Sequence, residues 1–279
     1  MTPPAVAVVG GGRVGLTVAR ALVVAGHPVT VLSRRARPLD PPLAAAVDAW
    51  DSPLAGAAVV LLAVPDAQVT PVAERLAAPG ALGASHVVLH LSGLLDRRAL
   101  APLASCGPAL GSWHPLQTFR DDEGTLQGVP AVVEGDPAAR AAAHDLAVAV
   151  GMTPVLEIGA QAKPTYHAAA VFASNYLVVL AAIAERLGRD AGLATSWRLF
   201  LPLMRRTLEY LEHHDPAASL TGPIRRGDVG TVETHLQALE PDVARLYAAL
   251  AAEALRLAEP ELTAAQVEAL RGVIGSRHP

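Results

Sequence analysis

The sequence predicts an α/β domain built on a parallel sheet, followed by an all-helical domain. Three observations carry that expectation. The apolar run "AVAVV" ends in Gly10-Gly11-Gly12-Arg13-Val14-Gly15, a G-x-G-x-x-G turn that opens directly into an amphipathic helix. Short, almost wholly apolar strands then alternate with helical stretches as far as Gly159, as parallel strands buried on both faces do. From Lys163 onward the apolar residues recur at helical spacing and no strand-like alternation remains.

The bulk numbers agree. A chain of 279 residues has room for two domains, expected at 1–160 and 161–279. Hydrophobic residues make up 52% and aromatic ones only 4%, so the core is built from small side chains that suit close helix packing. A net charge of -4 with both signs dispersed argues against nucleic-acid binding, and no polybasic membrane patch is present. Cys106 is the single cysteine, which excludes an intramolecular disulfide and a cysteine-based metal cluster. No basic segment with a cleavage site precedes the glycine turn, so a cytoplasmic location is expected. The uncharged stretch between Lys163 and Glu185 is long enough to span a membrane. His167, Ser174, Asn175 and two tyrosines interrupt it, so it is expected to be a buried central helix.

The elements follow in order. In the glycine turn, Gly10 permits the tight bend, Gly12 lets a pyrophosphate approach the backbone, and Gly15 lets helix and strand pack closely. With Arg13 and Val14 they frame a helix N-terminus whose free N–H groups and positive dipole end suit phosphate. The second strand, "PVTVL", ends in Ser33-Arg34-Arg35. An acidic residue at this place holds the ribose of NAD, whereas arginine accommodates the 2′-phosphate of NADP. No acid stands at the strand end and Asp40 lies well into the following loop, so NADP is expected rather than NAD. "RARPLDPPL" (35–43) reads as a proline-rich surface loop. "AAVVLLAVPDAQV" gives a strand ending near Ala63-Val64-Pro65-Asp66, and "SHVVLHLSG" one ending at Ser92-Gly93. Their carboxyl ends should line the ligand crevice. Strand "VPAVVEGD", a helix through "PAARAAAHDLAVAVG" and strand "TPVLEIG" complete the first half.

In the second half, helices are expected at 164–188, 191–213, 229–239, 241–258 and 264–274. Pro164 and Pro241 fit first helical turns, Asp228 an N-cap, and Thr263 with Gln266 a capping box. "LTGPIRRGD" is the main irregular segment. Its RGD reads as a turn and cap, and His213-His214 as a helix end complementing the dipole rather than as metal ligands.

Two constellations carry chemistry. "QAKPTYHAAAVFASNY" holds the only lysine of the chain. Lys163, His167 and Ser174 fall within roughly 40° of one another on a helix, with Asn175 on the shoulder. This polar stripe is expected to face a cavity. A helix N-terminus and burial both lower an ammonium pKa toward a range useful for proton donation, which arginine cannot provide. In "GSWHPLQTF", Pro115 fixes an extended backbone at His114, and Trp113, Gln117 and Thr118 complete a polar-aromatic cluster beside Ser92.

The glycine turn, "LLAVPD", "LSG", "GSWHPLQTF", "KPTYHAAAVFASNY" and "LTGPIRRGD", in this order, resemble the Rossmann-like oxidoreductases that carry domain of unknown function 2520. The resemblance covers essentially the whole chain. It implies a Rossmann dinucleotide-binding domain followed by an all-α domain like the C-terminal domain of 6-phosphogluconate dehydrogenase. The wider group includes pyrroline-5-carboxylate, ketopantoate and prephenate enzymes. The resemblance also implies a cleft between the domains and a homodimer formed through the helical one. Lys163 matches the catalytic lysine of the hydroxyacid and ketopantoate enzymes, but position 167 is histidine where they have asparagine. His114-Pro115 is similar to the His-Pro pair of prephenate dehydrogenases.

The expected function is NADP-dependent hydride transfer to or from a small carboxylate-bearing carbonyl or alcohol. Lys163, His167 and His114 are the catalytic candidates, and Ser92, Gln117, Ser174 and Asn175 the substrate-binding ones. Gly10, Gly12, Arg13, Val14, Gly15, Ser33, Arg34, Arg35, Ala63, Val64 and Pro65 are the cofactor-binding candidates. A non-catalytic dinucleotide sensor is one alternative. Oxidative decarboxylation of the prephenate type, with His114 as base, is another.

Overall fold

The computed structural model describes residues 2–33, 39, 43–47, 51–78, 82–120, 124–193 and 196–275. The chain forms two compact units, Met1–Val179 and Leu180–Pro279.

The first unit is built on one sheet. Its elements are β1 (Val6–Val9), α1 (Arg13–Val24), β2 (Val29–Ser33), β3 (Ala44–Val47), α2 (Asp51–Ala55), β4 (Val59–Leu62), α3 (Asp66–Leu76), β5 (Val87–His90), β6 (Ala109–Pro115), β7 (Ala131–Gly135), α4 (Pro137–Ala149), β8 (Val155–Glu157) and α5 (Lys163–Ala173). A 3-10 run, Arg97–Cys106, joins β5 to β6. The strand order is β3-β2-β1-β4-β5-β6-β7-β8. All pairs are parallel except β6 with β7. The order reverses direction between β1 and β4, which makes their carboxyl ends the switch point where such sheets bind ligands.

Burial explains why the strands read as continuous apolar runs. In β1, Val6 and Val8 enter one core with Leu16 and Leu22 of α1 and Ala139 and Leu146 of α4. Ala7 and Val9 enter the opposite core with Val69 and Leu76 of α3 and with Leu100 and Leu103. Alternate side chains leave opposite faces of a strand, so a strand covered on both faces needs apolar residues throughout.

Two strands escape the sequence reading. Ala44–Val47 lies against β2, with Thr30 opposite Ala44. Its alanines have little strand propensity of their own, so pairing with the sheet edge decides its conformation. Ala109–Pro115 is also a strand, which extends the backbone expected at His114 over seven residues. It pairs with β5 on one side and antiparallel with β7 on the other. A Cβ at Gly111 would lie 2.6 Å from the Glu134 carbonyl, so the close β6–β7 approach requires glycine there.

The second unit holds the remainder of α6 (Asn175–Asp190), then α7 (Leu201–His213), α8 (Pro216–Ser219), α9 (Val229–Ala238), α10 (Pro241–Ala258) and α11 (Ala264–Gly275). Its core is Val232 and Leu236 of α9, Ala244, Ala248, Ala251 and Leu255 of α10, and Leu270 and Ile274 of α11. Alanines on the inner face of α10 let the neighbouring helices approach closely. The caps are as expected. Asp228 accepts from the Thr231 N–H at 3.1 Å, and Thr263 and Gln266 exchange hydrogen bonds of 3.0 and 3.3 Å.

Two expectations about the segment after Lys163 need correction. The helix expected at 164–188 is broken at Ser174, whose φ of -121° and ψ of -67° separate α5 from α6. Nor is it buried in the chain by itself: Phe172 is 66% and Val178 68% exposed. By length and composition the run Ala160–Asp190 is apolar enough to cross a membrane. The boundary at 160/161 marks where the strand–helix alternation ends, whereas the compact units part later, inside α6. Lys163 binds α5 to the sheet.

Candidate active site at the carboxyl edge of the sheet

The sheet register sets the stage. Val9 of β1 lies opposite Leu62 of β4, Leu62 opposite His90 of β5, and His90 opposite Ser112 of β6. The residues that follow these four, from the glycine turn to Ser92-Gly93 and His114, therefore leave the sheet along one edge.

At β1 the three glycines answer different needs. Gly10 has φ +119°, and a Cβ there would lie 2.3 Å from the Ala63 carbonyl oxygen. A Cβ at Gly15 would lie 2.1 Å from the Gly10 carbonyl oxygen. Both are demanded by the packing of α1 on β1 and β4. Gly12 is different. Its φ of -77° suits any residue, and no atom of the described residues lies within 4 Å of its Cβ position. Nothing among the described residues requires glycine there, whereas a phosphate seated on the N-terminus of the 12-residue α1 would. This cradle fits the dinucleotide expected from the sequence. Arg13 is exposed beside it and Val14 half-buried. Ala63 and Val64 form the floor under Gly10, and Pro65 leads into α3. Ser33 closes β2, while Arg34, Arg35 and Asp40 lie outside the described residues.

On the far side of the edge, α5 turns one stripe inward. Lys163 is buried and Tyr166, His167, Ala170, Val171 and Ser174 are half-buried, at the three- and four-residue spacing of one helix face. The stripe turns toward the sheet, which Lys163 reaches directly. Lys163 has no exposed surface; its Nζ donates to the Ser92 carbonyl oxygen at 2.8 Å and to Ser112 Oγ at 3.0 Å. Burial lowers its pKa to about 8, opposed by the charges of Glu134, Asp66 and Asp96. Glu134 is itself buried, which raises its pKa, and it accepts from the Arg97 N–H at 2.9 Å.

The turn after β5 is held from every side. Ser92 Oγ accepts from the N–H groups of Leu94 and Leu95 at 3.1 and 3.0 Å. The Ser92 N–H donates to His90 Nδ1 at 3.3 Å, so His90 Nε2 carries the hydrogen and donates to the Asp96 carbonyl at 3.1 Å. Burial lowers the His90 pKa to about 4. Ser92 was expected to bind substrate, yet its hydroxyl and carbonyl are both used in fixing this turn.

Gly93 is where two imidazoles converge. A Cβ on Gly93 would lie 2.8 Å from His167 Nδ1 and 2.9 Å from His114 Nε2. His114 Nδ1 is hydrogen-bonded to Tyr166 Oη at 2.6 Å. The His114 pKa is lowered to about 4, first by burial and then by the charges of Lys163, His167 and His90. His167 Nδ1 is buried and has no hydrogen-bond partner among the described residues. Thr118 and Ser174 meet through their hydroxyls at 2.9 Å, while Gln117 and Asn175 are exposed. Sequence reasoning placed Gly93 at the crevice but missed Tyr166, His90 and Glu134. Tyr166 was detectable in principle, standing three residues after Lys163 on the same helix face. Glu134 was not, since only the β6–β7 pairing brings it in.

Residues 3–115 match the Rossmann-like domain family, and residues 129–254 match domain of unknown function 2520. No curated protein matches this chain in sequence. Among solved structures it is similar to a Bacteroides fragilis protein provisionally assigned as an NADP oxidoreductase. That match has 21% identity and TM-score 0.72, covering 92% of this chain and 99% of the other. A Thermotoga maritima protein matches at 26% identity and TM-score 0.75, with coverage of 92% and 99%. A reductive aminase from Aspergillus terreus, in complex with NADPH and ethyl-5-oxohexanoate, matches at 18% identity and TM-score 0.63, with coverage of 99% and 93%. The strand-then-helix order of the chain agrees with the order of the two family matches: the chain carries a Rossmann-like domain followed by domain of unknown function 2520.

Proposed function

We propose that this protein is an NADP(H)-dependent oxidoreductase acting on a small carbonyl or alcohol. One observation carries the reading: the open cradle at Gly12 and the His114–His167 pair at Gly93 lie along the same carboxyl edge of one sheet. Phosphate recognition and proton-handling groups are then within the reach of one extended dinucleotide. Gly10 to Gly15 would hold the pyrophosphate, and Ser33 at the end of β2 the adenosine ribose side. When bound, the nicotinamide supplies or accepts the hydride. The Bacteroides fragilis protein provisionally assigned as an NADP oxidoreductase and the Aspergillus terreus aminase in complex with NADPH, both of similar fold, support the choice of cofactor.

The chain's own residues divide the remaining work. His114, neutral over the working pH range, stands nearest to Gly93 together with His167 and is the proton-handling group. Lys163 acts from behind, fixing the Ser92 turn with an ammonium that has no exposed surface. A substrate carboxylate therefore gains no direct partner from Lys163, the only cation of α5. A second copy of the chain is the partner that would cover the exposed apolar residues of α5, α6 and α7.

The reading is tested by calorimetric titration of the purified protein with NADPH and NADH, followed by absorbance at the nicotinamide band with a panel of ketones, aldehydes and alcohols. Micromolar NADPH binding, weaker NADH binding and turnover of at least one compound are expected. Absence of NADPH binding, or tighter NADH binding, would overturn it.

A further inference from the structure

We propose that His114 and His167 form a two-imidazole seat over Gly93 for a single uncharged hydroxyl group, and that Tyr166 is the positioning residue that sets its polarity. The inference rests on the oxidoreductase reading for its biological sense, but its geometry stands alone.

The argument starts from hydrogen inventory. A neutral imidazole has one N–H and one bare nitrogen, and the partner of one nitrogen decides the state of the other. Tyr166 Oη lies 2.6 Å from His114 Nδ1, the short distance of a hydroxyl donating to a bare ring nitrogen. The phenol keeps its proton throughout, since burial raises its pKa to about 12. His114 is thereby held with its hydrogen on Nε2, the nitrogen that points to the face of Gly93. His167 Nδ1 points to the same place, is buried, and has no partner among the described residues. With His114 Nε2 as the donor, the partnerless His167 Nδ1 is assigned as the bare nitrogen, the acceptor of the pair.

A seat with one donor and one acceptor matches a group that both accepts and donates. An alcohol hydroxyl does this. A carboxylate only accepts, and would set its charge against the bare Nδ1 of His167. Gly93 is part of the seat because a side chain of any size would occupy it: the first carbon alone would come within 3 Å of both rings. Its role is to let both rings approach the turn, with His114 Nε2 and His167 Nδ1 turned to the same side of it. The substrate class that follows is a neutral secondary or primary alcohol, or the carbonyl compound from which it is formed.

The experiment is long-range proton–nitrogen NMR of the full-length protein at neutral pH, with 2-propanol and acetate as probes. In the unmodified protein His114 should show a protonated Nε2 and a bare, hydrogen-bonded Nδ1, and His167 a bare Nδ1. Tyr166→Phe, which removes one oxygen from a half-buried ring, should leave the fold intact and convert His114 to a mixture of tautomers. Addition of 2-propanol should shift the His114 Nε2 and His167 Nδ1 resonances, and equimolar acetate should shift them several-fold less. A hydrogen on His114 Nδ1, an unchanged tautomer in Tyr166→Phe, or larger shifts with acetate would each overturn the proposal. The unmodified protein alone suffices for the first and third outcomes, so a poorly folding variant does not shelter the idea. Failure of NADPH binding with this tautomer pattern intact would instead overturn the oxidoreductase reading and leave the seat standing.

Discussion

Lys163 Nζ lies 2.8 Å from the carbonyl oxygen of Ser92, a bond that ties the first turn of α5 to the end of β5 across 71 residues of chain. The lysine has no exposed surface, so the bond forms in a medium that penalises its charge and rewards its hydrogen bonds. Replacing it with methionine, of similar length, leaves Ser92 O and Ser112 Oγ without their donor while relieving the buried charge. A net loss of about 1–3 kcal/mol in urea unfolding is expected. Lys163→Arg should cost more, because the larger guanidinium has no solvent to reach.

The same ammonium gives a signature in pH. Its folded pKa is lowered to about 8 from 10.5, so the unfolded chain holds this proton more tightly than the native one. The penalty is fully present below pH 8, and stability relative to Lys163→Met should rise as pH climbs from about 8 toward 10.5. No other lysine exists to blur the comparison. A flat difference between the two proteins over pH 7.5–9.5 would show that Lys163 is not desolvated as described.

The glycine turn separates folding from binding. Gly12→Ala places a methyl in open space at a backbone angle that alanine adopts readily. Stability should stay within about 1 kcal/mol of the parent. NADPH affinity should fall about tenfold or more, equivalent to 1.4 kcal/mol. Gly15→Ala has the opposite profile. Its methyl would meet the Gly10 carbonyl oxygen at 2.1 Å, so the protein should lose stability or fail to express. Thermal melts and NADPH titrations of both variants check the pair. Equal effects on folding would remove the argument that Gly12 serves a ligand.

What the sequence revealed and what it hid have different physical origins. Strands buried on both faces, glycine turns and capped helices leave local signatures, so β1, α1, β4, β5 and α9 to α11 were legible. Lys163, His167 and His114 were legible as oddities of residue type. Their relation was not, because it depends on the depth at which α5 seats against the sheet. The sequence placed a polar stripe on one helix face correctly but could not tell a cavity from a close contact. Ala44–Val47 was hidden for a related reason: an alanine-rich edge strand takes its conformation from its neighbour. The exposed side of α5 and α6 was misread because an apolar helix looks the same whether its partner is in the same chain or not.

The buried histidines predict an acid-side weakness. His114 and His90 are both lowered from 6.5 to about 4, chiefly by burial, so the unfolded chain takes up protons that the native protein resists. Stability should be fully present above pH 6.5 and decline as pH falls toward 4. A shift of this size is worth up to about 3 kcal/mol per residue. His114→Gln should remove part of the slope without reversing it. A urea midpoint that is independent of pH across this window would contradict the burial of both rings.

Exposed apolar side chains give the last prediction. Phe172 packs edge to face on Tyr176 with ring centroids 4.8 Å apart, yet Phe172 remains 66% exposed, and Val178 beyond it 68%. In the second unit α7 buries none of its residues, although it carries Leu203, Leu208, Tyr210 and Leu211. Apolar surfaces of this extent are uncommon on soluble monomers and mark faces that another surface covers. A second copy of the chain supplies a matching surface by symmetry, since the same helices on both partners can interlock. Sedimentation equilibrium at micromolar concentration should return a dimer. Phe172→Glu with Val178→Glu should shift it toward monomer by placing like charges in the apolar face. A monomeric parent protein, or one that pellets with neutral lipid vesicles instead of self-associating, would defeat the dimer and make the run Ala160–Asp190 a membrane-facing surface.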